Sequence, residues 1–330
     1  MVEALVLEVV PADEKADFLC ALALKGETVG EIAAFATALR KKGVPVPLDE
    51  RWRAANHILD VCGTGGDRLD TFNISTTVSI LCAAAGVPVA KHGNRAVTSQ
   101  CGSADVLEAL GIRTNLSPSE AAESLRTQRF AFFFAPAYYP AFKNIAAARK
   151  LCAERGQRTI FNFLGPLLNP ALPTAQLVGV PRPDTCQMLA HVLQALGVQR
   201  AMVVCGSVPL PSGERAYLDE LSTLGDSTIA EFYQDKAMTV STYPSNHPNL
   251  QPAALAGLRG GDREANAEII RGILAGEDRG PKRDAVLWNA AAALFVVGAV
   301  TSLDQGWDLA GKTIDHGQAK QKLDELVSWA

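Results

Sequence analysis

Residues 57–111 carry the feature that most constrains the fold of this chain, a unit that occurs twice. An apolar segment over residues 57–62 has the length and β-branched content of a buried strand. It runs into the glycine-rich loop of residues 63–67 and then into an amphipathic helix that starts at Asn73. The sequence therefore predicts a strand, a glycine loop and a helix in direct succession.

The same succession follows immediately. Residues 87–90 form a second apolar segment, residues 91–99 form a loop with glycine, hydroxyl and basic side chains, and a helix opens near Ser103 and stops at Gly111. The first N–H groups of a helix lack intrahelical partners and carry partial positive charge. Such a terminus binds anions readily, and glycine lets the backbone approach them.

Either loop alone is typical of an ordinary tight turn followed by helix caps at Asn73 and Ser103. Two such loops close together in the chain, one of them carrying Lys91 and Arg95, favour a ligand with several phosphate groups. Neither loop has the Gly-Lys-Ser/Thr ending of a nucleotide-binding P-loop or the glycine spacing of a dinucleotide-binding fold.

Composition excludes several other classes. The 330 residues are 48% hydrophobic and 20% charged, as in an ordinary soluble globular enzyme. The net charge of −4 gives no general basic field for nucleic acid. The 7 cysteines form no Cys-x-x-Cys pair, which indicates buried free thiols in a reducing cytoplasm. No zinc-ligand spacing, signal peptide or membrane-length apolar segment is evident.

Strands and helices alternate through most of the chain. This alternation predicts an α/β fold, with a small N-terminal helical domain ahead of a large domain whose mostly parallel central sheet is flanked by helices. We place the small domain at residues 1–47, joined by part of residues 138–157, and the large domain at residues 52–330. Two shorter strands near residues 228–233 and 238–241 are expected at an edge, and three helices, over 262–275, 282–300 and 317–329, are expected to end the chain.

Several segments carry a family resemblance. Gly-Thr-Gly-Gly-Asp, Asn-Ile-Ser-Thr, Lys-His-Gly-Asn-Arg and the segment from Gly102 to Gly111 resemble, in this order, signature blocks of the anthranilate phosphoribosyltransferases. Arg158-Thr-Ile-Phe-Asn, Leu164-Gly-Pro-Leu with Asn169-Pro, and Leu218-Asp-Glu-Leu are similar to later blocks. The resemblance covers most of the chain.

The resemblance implies a reaction and its components. The family transfers the phosphoribosyl group of phosphoribosyl pyrophosphate (PRPP) to the amine of anthranilate, with release of pyrophosphate and use of Mg²⁺, in tryptophan biosynthesis. It implies a cytoplasmic homodimer formed through the small helical domain. The small-molecule substrates are then PRPP and anthranilate, and neither nucleic acid nor a membrane is expected as a partner.

The resemblance also implies three sets of site residues. Those expected to contact PRPP are Gly63, Gly66, Asp67, Thr71, Asn73, Ile74, Ser75, Thr76, Lys91, His92, Gly93, Asn94, Arg95, Ala96, Val97, Thr98, Ser99 and Ser103. Those expected to bind anthranilate are Gly63, Asn94 and Arg149. Those expected to hold Mg²⁺ are Ser75, Asp219 and Glu220, although an Asp-Glu pair alone is typical of solvated surface charge.

Four points stay open at this stage. About three extra residues separate Arg149 from the Arg158 block, so Arg155 is a rival for the acceptor carboxylate. Tyr139 stands where the family has His before Pro, on the acceptor side. The proton released by the amine is expected to pass to His92 or to water, with no dedicated base. The alternative functions are a pyrimidine nucleoside phosphorylase and a non-catalytic nucleic-acid-binding relative.

Overall fold

The computed structural model describes residues 2–96, 100–233, 237–244 and 248–329. Its α-helices are α1 (Val2–Val6), α2 (Ala12–Lys25), α3 (Val29–Arg40), α4 (Glu50–Ala55), α5 (Ile74–Ala84), α6 (Ser103–Leu110), α7 (Pro118–Thr127), α8 (Ala135–Tyr138), α9 (Ala146–Glu154), α10 (Phe161–Leu164), α11 (Thr185–Ala195), α12 (Arg263–Leu274), α13 (Pro281–Val297), α14 (Leu303–Asp315) and α15 (Gln318–Ser328). Its strands are β1 (Leu59–Gly63), β2 (Val89–Gly93), β3 (Phe130–Phe134), β4 (Ala175–Gly179), β5 (Arg200–Pro209), β6 (Arg215–Leu218), β7 (Ser227–Tyr233) and β8 (Thr239–Tyr243). Short 3₁₀ helices lie at Pro140–Ile145, Gly165–Leu167 and Leu255–Leu258.

The strands form one sheet in the order β3-β2-β1-β4-β5-β7-β8, with β6 paired to β5. The pairs among the first five strands are parallel, whereas β6, β7 and β8 join antiparallel. This confirms the predicted α/β class. Because the chain moves outward from β1 on one side and then returns to β4 on the other, the strand order reverses between β1 and β4. Ligands of open α/β sheets bind outside the carboxyl ends of strands at such a point.

Each strand of the parallel part buries both of its faces. In β1, Leu59 and Val61 pack into one apolar layer, while Cys62 packs into the other. The first layer contains residues of α5, α6, α12, α13, α14 and α15. The second contains residues of α2, α3, α7, α9 and α11. Strands buried on both faces read as continuous apolar runs, which is why these segments were recognisable from the sequence.

The N-terminal helices form a compact unit against α9 and α11. The spacing of Thr28 and Glu31 predicts a capping box, and the structure has one at the start of α3. On α2 the side chain of Lys15 is buried, and its ammonium group donates to the carbonyls of Leu7 (2.7 Å) and Asn144 (2.8 Å). These bonds tie the unit to the segment that precedes α9. The division at residues 47 and 52 stays a prediction.

The structure differs from the sequence predictions in several elements. The Ala-, Lys- and Arg-rich sequence of residues 138–155 predicts one helical stretch. The structure breaks it into the end of α8, a 3₁₀ helix and α9, because Pro140 removes an N–H donor. The C-terminal region contains α14 between the second and third of the expected helices. Strand β6 and helix α4 were also not predicted. Among the described residues no helix is both long enough and apolar enough to cross a membrane.

Candidate active site

The first glycine loop begins where β1 ends. Gly65 and Gly66 have φ angles of +73° and +86°, a region that side chains other than glycine rarely adopt. The N–H of Gly65 donates to Oδ2 of Asp219 over 2.7 Å. This bond joins two segments that are 154 positions apart in the chain, so the glycine loop and the acidic segment form a single structure.

Asn73 occupies the cap position of α5, but its side chain makes no capping bond. Its Nδ2 donates to the carbonyl of Cys101 (3.2 Å), and its Oδ1 accepts from Nδ2 of Asn266 (3.0 Å). The simple helix cap considered in the sequence is therefore wrong for Asn73. Its side chain instead connects the first loop to the second loop and to α12.

The second loop leaves β2 at Gly93 and reaches α6 at Ser103. The carboxylate of Asp105 accepts from the N–H groups of Ala96 (2.8 Å) and Gly102 (2.9 Å), which fixes both ends of the loop. Gly102, rather than Ser103, is the cap residue of α6. The predicted contact residues Val97, Thr98 and Ser99 lie outside the described residues.

Arg95 is exposed and lines the cleft, where its guanidinium is engaged by acidic side chains of α6. It pairs with Asp105 (3.2 Å) and Glu108 (2.7 Å) and lies 5.8 Å from the ring centroid of Phe134. A phosphate ligand would have to compete with these carboxylates for this side chain.

Lys91 is 2% exposed, and its ammonium group donates to the carbonyl of Val61 (2.6 Å) and to Oγ of Ser75 (3.0 Å). Burial lowers the pKa of this ammonium, while the charges of Asp60 and Glu220 oppose that shift. Lys91 therefore forms part of the buried floor of the cleft, where it compensates buried carboxylates and orients a hydroxyl at the start of α5.

His92 is also buried. Burial, followed by the charge of Lys91, lowers the pKa of its imidazole to about 4, and its Nε2 has no hydrogen-bond partner within the described residues. At neutral pH the ring is uncharged and only weakly basic.

Asp219 and Glu220 follow β6 and lie against the ends of β1 and β4. A Cβ atom added to Gly63 would lie 2.2 Å from Oδ2 of Asp219, and one added to Gly179 would lie 1.5 Å from its carbonyl oxygen. Position 179 therefore requires glycine, because the contact is with backbone, whereas a side chain at Gly63 would have to displace the Asp219 carboxylate. The strand ends form a cradle that holds the acidic segment at the mouth of the cleft.

The two carboxylates are poorly solvated. Burial, followed by the charge of Asp67, raises the pKa of Asp219 to about 7, and burial raises the pKa of Glu220 well above its usual range. Burial also raises the pKa of Asp67. Three acidic side chains that repel one another beside the hydroxyl of Ser75 form an environment that a divalent cation would stabilise.

These oxygen donors fit Mg²⁺. The described residues contain no group of three or more His, Cys, Asp and Glu side chains arranged to hold a metal by themselves. Mg²⁺ keeps several waters and is usually bound through one or two carboxylates together with substrate phosphates, so a complete protein cage is not required. The donor set is compatible with a cation whose coordination a phosphate ligand would complete.

The loops and the acidic segment enclose a cleft of about 360 Å³. Every described residue predicted to contact PRPP or metal lines it, and Gly63 and Asn94 of the predicted acceptor set do so too. It is also lined by residues that the site prediction did not include: Cys62, Thr64, Gly65, Arg68, Asp70, Phe72, Cys101 and Gly102. All of them are neighbours of motif residues, so extending each motif by a few positions would have found them.

Arg149 is not among the described residues that line this cleft. It lies on α9, with its guanidinium 5.6 Å from the ring centroid of Phe161. Its rival Arg155 is exposed and pairs with Asp17 over 2.6 Å. Tyr139 is 4% exposed and stacks on Phe142. Of the two arginines, Arg149 is thus the one within an aromatic cluster.

Comparison with known proteins agrees with this architecture. Residues 1–43 match the family described as "Glycosyl transferase family, helical bundle domain", and residues 55–320 match "Glycosyl transferase family, a/b domain". The anthranilate phosphoribosyltransferase of Moorella thermoacetica is 46% identical over 325 residues, which cover 98% of this chain and 89% of that protein.

Solved structures give the same result. The crystal structure of anthranilate phosphoribosyltransferase from Thermus thermophilus superposes with a TM-score of 0.87 at 38% identity, over 99% of this chain and 92% of that one. The Saccharomyces cerevisiae enzyme in complex with PRPP and Mg superposes with a TM-score of 0.80 at 26% identity, over 97% and 86% of the two chains.

A helical bundle joined to an α/β domain with this cleft defines a glycosyltransferase. Within that class the chain belongs to the anthranilate phosphoribosyltransferase family.

Proposed function

We propose that this chain transfers the phosphoribosyl group of PRPP to the amine of anthranilate, giving N-(5-phosphoribosyl)anthranilate and pyrophosphate in tryptophan biosynthesis. Family membership supports the reaction. The observation that carries it is the bond from the Gly65 N–H to Asp219, because it brings a phosphate-binding loop and the acidic segment together in one cleft. A donor with phosphate at one end and pyrophosphate at the other needs both.

The donor is bound by the two loops. The start of α5, from Asn73 to Thr76, and the loop from Lys91 to Ala96 supply N–H groups, hydroxyls and charge to its phosphate oxygens. The described residues of the predicted PRPP set line a single cleft, which supports this assignment. Val97, Thr98 and Ser99 are proposed as further contacts on the family resemblance alone.

Ser75, Asp219 and Glu220 would hold Mg²⁺ against the pyrophosphate. When bound, the ion would neutralise negative charge that develops on the departing diphosphate. The chain itself supplies fixed donors for that charge at the start of α5 and in the glycine loop, and these donors need no rearrangement as the bond breaks.

Arg149, Asn94 and Gly63 would bind the acceptor. The planar fork of a guanidinium matches the carboxylate of anthranilate, and a position near Phe161 suits an aromatic acid. An aromatic amine that attacks an electron-poor sugar carbon needs little help from a base. The lowered pKa of His92 supports proton transfer to water rather than to this ring.

The chain would work as a cytoplasmic homodimer formed through the small helical domain at residues 1–47, which part of residues 138–157 completes. Leu7, Val9 and Leu24 in this region are 51%, 85% and 77% exposed, and covering them would remove apolar surface from water. Light scattering of the purified protein tests this. A Leu24→Glu variant that stays dimeric would exclude an interface that buries Leu24.

The function is tested by mixing the protein with PRPP and anthranilate and following anthranilate consumption with and without Mg²⁺. We expect transfer that depends on both substrates and is lost on chelation. Phosphorolysis of a pyrimidine nucleoside, without use of PRPP, would contradict the proposal.

A further inference from the structure

Asn289 is a fully buried polar side chain in the middle of the apolar helix α13. Its Oδ1 accepts from the N–H of Leu221 over 2.9 Å, and its Nδ2 donates to the carbonyls of Leu221 (3.0 Å) and Ala285 (2.9 Å). One amide side chain therefore binds both backbone polar groups of a single loop residue, as a neighbouring strand would. The loop residue is 68 positions away in the chain.

Leu221 directly follows Glu220, so this pairing fixes the end of the acidic segment. The opposite side of the segment touches the strand ends, where the carbonyl of Asp219 fills the space that a Cβ at Gly179 would occupy. A Cβ at Gly206 would likewise lie 2.6 Å from the carbonyl of Glu220. The segment is thus confined between the sheet and α13, and Asn289 supplies the specific bonds on the helix side.

We propose that Asn289 is a positioning residue for the reaction, which holds Asp219 and Glu220 at the depth where their carboxylates face the donor and its cation. The inference rests on the proposed function of those two carboxylates. Asn289 acts through the backbone of Leu221 and touches neither substrate nor ion. Replacing Asn289 should therefore weaken cation-dependent binding of the donor more than it changes the Michaelis constant for anthranilate.

A structural role alone would have a different signature. A buried asparagine that merely stabilises the fold would lower the melting temperature on replacement without altering cation use. Thr313 offers a matched control, because it is 1% exposed on the neighbouring α14 and its hydroxyl donates to Leu309 within its own helix (2.8 Å). The Thr313→Val variant loses a buried hydrogen bond without touching the acidic segment.

The experiment compares Asn289→Ala, Asn289→Ser and Thr313→Val with the unaltered chain. Calorimetric titration of PRPP in the presence of Mn²⁺ or Mg²⁺ measures cation-dependent donor binding without turnover. Loss of a residue that orients metal ligands typically weakens metal affinity about 10- to 100-fold. We expect a shift of this size in both Asn289 variants, with the Michaelis constant for anthranilate changed less than about twofold, and no shift in the Thr313 variant.

A folded Asn289 variant whose PRPP binding depends on the cation as in the unaltered chain would overturn the inference. Equal changes in cation-dependent PRPP binding and in the Michaelis constant for anthranilate would overturn it too. Failure of both Asn289 variants to fold would assign the residue to stability alone and would also overturn it. If the unaltered chain shows no cation-dependent transfer, the proposed function itself fails, and the two failures are thereby distinguished.

Discussion

The carbonyl oxygen of Asp219 lies where a side chain on Gly179 would begin, 1.5 Å from the position of its Cβ. Gly63 stands in the same relation to the Asp219 carboxylate, at 2.2 Å. The ends of two parallel strands thus pack directly against the acidic segment and determine its position. Neither glycine has a positive φ, so backbone conformation does not call for glycine here. The absence of a side chain matters because it lets the acidic segment approach closely.

Gly63→Ala is expected to displace the Asp219 carboxylate and to raise the Mg²⁺ concentration needed for half-maximal turnover. Gly179→Ala clashes with backbone, so it should destabilise the fold by about 1–3 kcal/mol, the usual cost of overpacking. Urea denaturation and a Mg²⁺ titration measure the two effects. Gly311→Ala is the control, because a Cβ there meets nothing within 4 Å and lies inside α14, where alanine is favoured. If Gly63→Ala left the Mg²⁺ concentration for half-maximal turnover unaltered, the close approach of Asp219 to residue 63 would not matter for cation binding.

Arg149→Ala is expected to raise the Michaelis constant for anthranilate about 10- to 100-fold, the effect of losing a hydrogen bond to a charged group. The constant for PRPP should change far less, because only the acceptor carboxylate uses the guanidinium fork. Steady-state kinetics with each substrate varied measures both. The control is Arg155→Ala, which removes an exposed pair with Asp17 and should alter neither constant. Equal changes for both substrates on replacing Arg149 would move the acceptor site elsewhere.

The double replacement Asp219→Asn with Glu220→Gln should slow turnover at low Mg²⁺ and raise the metal requirement by at least about tenfold. It removes two charges that repel each other, so stability should hold or increase. Turnover against Mg²⁺ concentration and thermal unfolding measure the two effects. Glu214→Gln, at an exposed position before β6, is the control. An unaltered metal requirement in the double variant would show that these carboxylates do not bind the ion.

Asp60→Asn is expected to change how stability depends on pH. Burial raises the pKa of Asp60 from 3.8 to about 6, so the folded state resists ionisation more than the unfolded chain does. The free energy of unfolding should therefore fall by roughly 3 kcal/mol as the pH rises from about 4 to 6. The Asp60→Asn variant lacks this loss. The difference between its free energy of unfolding and that of the unaltered chain should therefore grow in favour of the variant over that pH range and then stay constant.

Urea denaturation of the Asp60 variant between about pH 4 and 7 measures this difference. Asp324→Asn, at an exposed position on α15, is the control for the same substitution without burial. A flat difference for Asp60→Asn would show that the buried carboxylate ionises without cost.

The fold class and the loops could be predicted from the sequence because these depend on local patterns. Continuous apolar runs indicated the parallel strands, and glycine next to hydroxyl residues indicated both anion loops. Helix α14 was not predicted, because Gly306 and Gly311 lower helix propensity. There packing overrides propensity, since a Cβ on Gly306 would lie 2.7 Å from the backbone of Ala291.

The residues that support the site could not be predicted from the sequence, for a different reason. Asn266 meets Asn73 across 193 positions, and Asn289 meets Leu221 across 68. No periodicity or motif connects residues so far apart, and each asparagine read alone is only a polar residue within a helix. Lys91 lines the cleft, and its contact with PRPP stays a prediction. Its bonds to Val61 and Ser75 could not be predicted, because they follow from β2 lying inside the sheet.

The bonds from α13 to Leu221 also determine when, during translation of the chain, the site can be completed. A nascent chain that has emerged only as far as β8 already carries both anion loops and the acidic pair, yet it lacks the helix that holds that pair in place. Competence to bind the donor therefore arrives late in translation. Truncation before Pro281 would leave a polypeptide that keeps the signature motifs without a formed cleft.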